Sequence, residues 1–303
     1  MRRTLPTLTL LAAALALGAC ATTAPAPAGG TPVAGTPVAD QAAVPADDNL
    51  NAVLWVQRSV EYRALSETVY RAATERLDAA LAAKDWDALV PGERDSATAI
   101  ARLPPAVVMD IDETVLDNSP YQARLVQDGL EYDDATWAEW VAEEKARPVP
   151  GVLEFARAAE AKGVTIIYLS NRDKALHAAT LANLRAVGLP VKDDSVFLGL
   201  GTVVEGCEQK GSGKTCRRQL AGRGYRVLMQ FGDQLGDFVE APANTPQAHA
   251  ALHAEYRAWF GDRWWVLPNP TYGAWEPALF NNAWSAPRAV RRAAKHEALV
   301  TDR

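Results

Sequence analysis

Three short apolar runs, each ending in polar residues, constrain this chain more than any other feature in it. Ala106-Val107-Val108-Met109 ends in Asp110, Val164 to Leu169 ends in Ser170-Asn171-Arg172, and Tyr225 to Phe231 ends in Gly232-Asp233. Runs of this kind read as strands buried on both faces, which is how strands of a parallel sheet look. Helical stretches separate them, and that alternation argues for an α/β fold built on a doubly wound parallel sheet. In such sheets ligands bind beyond the carboxyl ends of the strands. All three ends carry side chains fit for chemistry. A last strand is expected at Trp264-Trp265-Val266-Leu267-Pro268, followed by a loop from Asn269 to Trp275.

Two helical additions flank this pattern. Tyr62, Leu65, Val69, Ala73, Leu77 and Leu81 recur at three- and four-residue steps, which predicts an amphipathic N-terminal helical extension. Asp47 or Asp48 is available to cap its start, and Pro91-Gly92 is expected to break it. Between the first two strands a helical insert surrounds Trp137, Trp140 and Val141, either as a small cap over the site or as packing.

The chain opens with Arg2 and Arg3 followed by the apolar stretch Leu8 to Leu17, which is too short to span a bilayer comfortably. Leu17-Gly18-Ala19-Cys20 then matches a bacterial lipobox. Residues 1–20 are therefore read as a lipoprotein signal peptide with Cys20 the lipidated residue. An ordinary cleaved signal with an incidental cysteine is the alternative. Ala21, where an Asp would favour inner-membrane retention, points to the outer membrane. Residues 21–46 are Ala, Pro, Thr and Gly with almost no charge, so they are expected to form a disordered tether. The folded domain would then span 47–303. With Cys20 lipidated, Cys207 and Cys216 are left as a possible disulfide in an oxidising compartment. It would close a loop of about ten residues, worth about 2.7 kcal/mol by chain entropy.

The net charge of −6 argues against a surface for nucleic-acid polymers, which needs clustered Lys and Arg. The basic stretch Arg288 to Lys295 reads as a solvated helix face. No histidine pair shows a zinc-ligand pattern.

The sharpest chemical signal is Asp110-Ile111-Asp112-Glu113-Thr114. Two carboxylates two apart at a strand end can face the same side. There they can gather a hard divalent cation through oxygen ligands. One can attack phosphorus and become an acyl phosphate, while the other moves protons. A calcium loop of the EF-hand type fails, because Val115 stands where its glycine belongs and Tyr121 where its glutamate does. Gly232-Asp233-Gln234-Leu235-Gly236-Asp237 supplies a second acidic pair. Asp233 would complete the metal's ligands, and Asp237 would orient a water on the metal or the site lysine. An acidic pair at each of two strand ends repels itself unless a cation is shared, so the four carboxylates make sense around magnesium and poorly without it. Ser170 is either a phosphoryl-oxygen donor or a plain helix N-cap. Lys214, upstream of Asp233, could neutralise a phosphoryl group, and the Cys207–Cys216 loop would help to hold it. Gly213-Lys214-Thr215 is not a P-loop, since Glu208 stands where its first glycine must be. Tyr272 and Trp275 flank Gly273 in a polar loop and are candidates to stack on a substrate ring.

Taken together, the strand-borne D-x-D-x-T, the Ser-Asn-Arg, the upstream lysine and the G-D-x-x-x-D resemble the four motifs of the haloacid dehalogenase (HAD) superfamily. More narrowly, the chain resembles the bacterial lipoprotein e acid phosphatases, or lipoprotein 5′-nucleotidases. That likeness rests on the lipobox, Leu50 to Trp55 with Tyr62, Asp110 through Tyr121, and Val266-Leu267-Pro268-Asn269 on to Tyr272-Gly273-Ala274-Trp275. The resemblance implies that Asp110 is the nucleophile and Asp112 the general acid/base. It implies Mg2+ bound by the Asp110 side chain, the Asp112 backbone carbonyl and the Asp233 side chain. Ser170 and Lys214 would hold the phosphoryl oxygens, with Lys210 the fallback for Lys214. The implied activity is hydrolysis of phosphomonoesters at acidic pH, with nucleoside 5′-monophosphates or nicotinamide mononucleotide as substrates. Two rivals are a phosphotransferase of the same fold and a non-catalytic ligand-binding surface lipoprotein.

Overall fold

The computed structural model describes residues 48–94 and 99–302. The signal peptide, Cys20 and the tether lie outside the described residues. Helices α1 (Leu50–Arg58) and α2 (Val60–Ala82) precede the first strand, β1 (Pro105–Met109). The short β2 (Leu116–Asp117), helices α3 (Ser119–Asp128) and α4 (Asp134–Ala142), and β3 (Arg147–Pro148) follow. Helix and strand then alternate through α5 (Val152–Ala161), β4 (Thr165–Asp173), α6 (His177–Ala186) and β5 (Phe197–Leu200). The alternation continues with α7 (Thr215–Gly224), β6 (Arg226–Gly232), α8 (Pro246–Glu255) and β7 (Trp264–Val266). A single turn, α9 (Trp275–Ala278), and α10 (Arg288–Glu297) come last.

The five main strands form one sheet in the order β5-β4-β1-β6-β7, with every neighbouring pair parallel. From β1 the chain steps to β4 and β5 on one side, then returns to β6 and β7 on the other. Right-handed crossovers therefore put α5 and α6 on one face and α7 and α8 on the opposite face. This is the doubly wound α/β sheet expected from the sequence. Its order reverses between β1 and β6, and such a reversal opens a crevice at the carboxyl ends of the two strands.

The core explains why β1 reads as a continuous apolar run. Ala106 to Met109 are all buried, because β4 and β6 flank the strand and helices cover both faces. Beneath the crevice, Phe231 of β6 packs against Phe155 of α5 with ring centroids 4.6 Å apart, and against Tyr70 of α2 at 5.5 Å. Each such ring removes enough apolar surface from water to contribute about 1.5–3 kcal/mol.

The N-terminal extension departs from expectation in four ways. It is two helices rather than one, because Ser59 leaves the helical region and its side chain accepts from the Tyr62 N–H to start α2. Asp48 does not cap; it pairs with Arg292 at 2.9 Å. The helix ends at Ala82, well before Pro91-Gly92, and the intervening loop buries Trp86, Ala88, Leu89 and Val90. The buried stripe of α2 also turns past Leu65, which is exposed, to Ser66 and Tyr70. Both polar side chains can be buried because each hydroxyl is satisfied, Ser66 by the Tyr62 carbonyl and Tyr70 by the Thr114 carbonyl at 2.7 Å.

The insert comprises α3 and α4, closed at its base by the antiparallel pairing of β2 with β3. Trp140 and Val141 are buried, and the Trp140 indole N–H donates to Asn118 at 2.8 Å. The basic C-terminal stretch forms α10 as a largely solvated helix, with one exception. Arg291 is buried and makes two bonds to Glu131, at 2.6 and 2.8 Å.

Candidate active site

Asp110 directly follows β1, and its backbone N–H still donates to the Phe231 carbonyl of β6 at 2.9 Å. The sheet thus fixes the backbone of the residue at the mouth of the crevice. Across that crevice β6 ends at Gly232, and the chain turns so that Asp233 and Asp237 return toward Asp110. Glycine is required at 232, because a Cβ there would overlap the Asp237 side chain. Carboxylate oxygens of Asp110, Asp233 and Asp237 all lie within 4.8 Å of one another.

Lys214 enters this acidic group from the residue that precedes α7. It is buried, and its ammonium donates to Asp110 Oδ1 and, at 2.7 Å, to Asp237 Oδ1. Burial disfavours the lysine's charge, but the two carboxylates outweigh it and hold its pKa above the ordinary value. Lys210, the sequence-level fallback, is exposed. Cys207 and Cys216 are joined by a disulfide with Cα atoms 5.6 Å apart, closing the loop that carries Lys214.

Burial pushes the Asp110 carboxyl up to about 7, with Lys214 opposing and Asp237 and Asp112 reinforcing. The same cause raises Asp233 well above the carboxylate range, with Asp237 and Asp110 adding to it. One ammonium therefore does not balance this group. Asp233 accepts from Asn269 at 2.7 Å. The clustered donors are all carboxylate oxygens, the set a hard divalent cation prefers, so the residues present fit a divalent metal ion.

Asp112 turns away from Lys214 into a separate polar nest. Its Oδ1 accepts from Asn118 Nδ2 at 2.9 Å and from Arg172 Nε at 3.0 Å. Its Oδ2 accepts from the Ser170 hydroxyl at 3.3 Å. The simple helix-cap reading of Ser170 fails, because β4 runs on to Asp173 and Ser170 is wholly buried inside it. Asp173 makes the cap instead, accepting from the Ala175 N–H.

Glu113, between the acidic pair and Thr114, has φ +57° and is buried. A non-glycine residue in the left-handed region is strained by about 1–3 kcal/mol and persists only where its surroundings hold it. Here the Asn118 backbone N–H donates to its Oε1 at 2.8 Å and the Tyr272 hydroxyl donates to its Oε2. Tyr272 thereby joins the site from the loop after β7, while Trp275 at the start of α9 is 48 % exposed. Tyr272 is part-buried, while the Trp275 ring is open to solvent.

Sequence reasoning missed four supporting side chains: Glu113, Asn118, Arg172 and Arg217. Arg217 is buried and donates to the Ser170 carbonyl at 2.5 Å, to Asn171 Oδ1 at 2.7 Å and to the Gly213 carbonyl at 3.0 Å. It clamps the end of β4 to the loop before Lys214. The available signal was its place one turn after Lys214, on the same side of α7.

Comparison with known proteins gives a consistent picture. A family model described as HAD superfamily, subfamily IIIB (acid phosphatase), matches residues 31–275. The solved class C acid phosphatase from Bacillus anthracis is 33 % identical, with a TM-score of 0.71 over 84 % of this chain and 97 % of that one. The same protein with tungstate bound gives the same figures. Vegetative storage protein 1 of Arabidopsis thaliana is 29 % identical over 168 residues, 54 % of each chain. A stem 31 kDa glycoprotein of Glycine max is 27 % identical over 165 residues, 54 % of this chain and 58 % of that one. The chain thus spans about half the length of these curated relatives.

Proposed function

The chain belongs to the HAD superfamily, subfamily IIIB, the acid phosphatases, and from that premise we propose that it hydrolyses phosphomonoesters with a divalent metal, Mg2+, through an aspartyl-phosphate on Asp110. The observation that carries the reading is the buried contact of Lys214 with Asp110 and Asp237, beside Asp233, at the crevice between β1 and β6. That arrangement aligns a carboxylate nucleophile with a cation able to meet phosphate.

The Asp110 and Asp233 side chains and the Asp112 backbone carbonyl would hold the metal. When bound, it supplies positive charge that keeps the carboxylates ionised and screens the phosphate from the nucleophile. Lys214 holds the Asp110 carboxylate in place and stands ready to neutralise a phosphoryl oxygen. Asp237 fixes Lys214 from the other side. Ser170 offers a hydroxyl to a phosphoryl oxygen. Asp110 forms the new bond to phosphorus as the bond to the alcohol oxygen breaks. Asp112 gives its proton to that oxygen, then takes one from the water that releases phosphate.

The substrates in this reading are nucleoside 5′-monophosphates or nicotinamide mononucleotide, with a ring stacked on Tyr272 and Trp275. Export and lipid anchoring through Cys20 at the outer membrane belong to the same reading, and the Cys207–Cys216 disulfide supports an oxidising compartment. The test is phosphate release from several nucleoside monophosphates, with and without Mg2+, by the wild type and Asp110→Asn. Metal-dependent release, lost by at least about a thousandfold in the variant, is expected of a nucleophile. No release from any phosphomonoester between acid and neutral pH would sink the reading and favour a binding lipoprotein. Transfer of phosphate to an added alcohol instead of water would favour the phosphotransferase.

A further inference from the structure

We propose that Arg172 is the positioning residue of the general acid. It occupies Oδ1 of Asp112, so that Oδ2 is the oxygen that carries the proton to the departing alcohol. The inference rests on the phosphomonoesterase reading above and adds to it an arginine to which no role has been given.

Arg172 is 1 % exposed. A guanidinium taken out of water costs several kcal/mol unless charge and hydrogen bonds compensate. Asp112 is the one carboxylate among the described residues to which it bonds, through Nε at 3.0 Å and Nη2 at 2.9 Å. The rest of its fork is fixed by neutral groups. Nη1 donates to Thr180 Oγ1 and Nη2 to Asn118 Oδ1, both at 3.4 Å, while the Trp137 ring lies 5.5 Å from the guanidinium carbon. Asn118 is itself tied by the Trp140 indole at 2.8 Å and donates to the same Oδ1 of Asp112.

The two oxygens of Asp112 are therefore unequal. Oδ1 takes N–H groups from Asn118 and Arg172 and has no room for a proton. Oδ2 has the Ser170 hydroxyl at 3.3 Å as its partner, a longer contact than any of those on Oδ1. Among the described residues no hydrogen bond or ion pair joins Arg172 to Asp110, so its bonds bear on the proton-donating carboxylate rather than on the nucleophile. During turnover the Asp112 Oδ2 proton passes to the bridging ester oxygen as that oxygen leaves phosphorus. The phosphorus bond to Asp110 forms in the same step.

Such a role has a signature that a merely structural one lacks. An alkoxide leaving group needs the proton, whereas p-nitrophenolate departs almost without it. The experiment compares kcat/KM for a nucleoside 5′-monophosphate and for p-nitrophenyl phosphate, in the wild type, Arg172→Gln and Arg172→Lys. This ratio reports only the steps up to alcohol departure, so the later hydrolysis of the acyl phosphate does not enter. For Arg172→Gln the expected loss is about a hundredfold on the nucleotide, within the range of general acid catalysis, and less than about fivefold on the aryl ester. Arg172→Lys restores the charge without the planar fork and should show the same skew at smaller size. It serves as the readout if the glutamine variant does not fold. Equal losses on both esters, or no loss on either, overturn the inference alone. A wild type that cleaves neither ester overturns the phosphomonoesterase reading, and this inference with it.

Discussion

Tyr272 donates its phenolic hydrogen to the buried carboxylate of Glu113, joining the loop after β7 to the turn after β1. These segments are 159 residues apart in sequence, and the bond ties them beside Asp112. Removing the hydroxyl in Tyr272→Phe leaves a buried carboxylate oxygen short of a donor, at a cost of about 1–3 kcal/mol. For a domain of this size that corresponds to a fall in melting temperature of roughly 2–12 °C. Thermal unfolding followed by circular dichroism checks it, and an unchanged melting temperature would mean the bond contributes nothing.

The same carboxyl gives the metal-free protein a particular pH dependence. Burial, followed by Asp112, pushes Glu113 up to about 8, with Tyr272 and Asn118 opposing. Asp110 rises to about 7. Both groups bind protons more tightly folded than unfolded, where carboxyls titrate near 4. Their contribution is therefore complete below about pH 4 and is lost as pH rises through 7 and 8. In chelator, stability should decline across that window, and Glu113→Gln should flatten the upper part of the decline. A stability profile that rises over the same interval would contradict this assignment.

Magnesium should reverse that penalty. A ligand at a hundred times its Kd stabilises by about 2.7 kcal/mol, or roughly 5–11 °C in melting temperature here. Asp233→Asn should abolish the magnesium increment. It should also melt no lower than the wild type in chelator, since it removes a charge that burial and Asp237 both disfavour. Differential scanning calorimetry with and without the ion separates the two effects.

Reduction of the Cys207–Cys216 bond should act on turnover before it acts on the fold. The loop it closes is short and contributes about 2.7 kcal/mol by chain entropy, but it carries Lys214. With a mild reductant, phosphate release should fall while the far-ultraviolet spectrum holds. Activity that survives complete reduction would show that Arg217 alone anchors the loop.

What the sequence made legible, and what it hid, divides along physical lines. Asp110 and Asp233 stood out because each terminates a run that only a doubly buried strand would have, and β1 and β6 are such strands. Arg172, Arg217 and Asn118 did not, because charged and polar residues are read by default as solvated. Their burial depends on partners brought together by folding, such as Asp112 for Arg172 and the Gly213 carbonyl for Arg217. The stripe of α2 was misjudged for the same reason. Ser66 and Tyr70 look less apolar than Leu65, yet their hydroxyls are satisfied inside the protein and Leu65 is left in water.

The position of β1 at the middle of the sheet has a consequence for how this protein fails. Its neighbours β4 and β6 bond it on both sides, and the Asp110 amide is itself part of the ladder. Amides of such a strand exchange with solvent only when the whole domain opens. Fraying and loop excursions at the rim leave the Asp110 backbone undisturbed. Heat or denaturant would then remove that residue from its place in a single cooperative step, in which loss of the sheet and loss of the crevice are the same event.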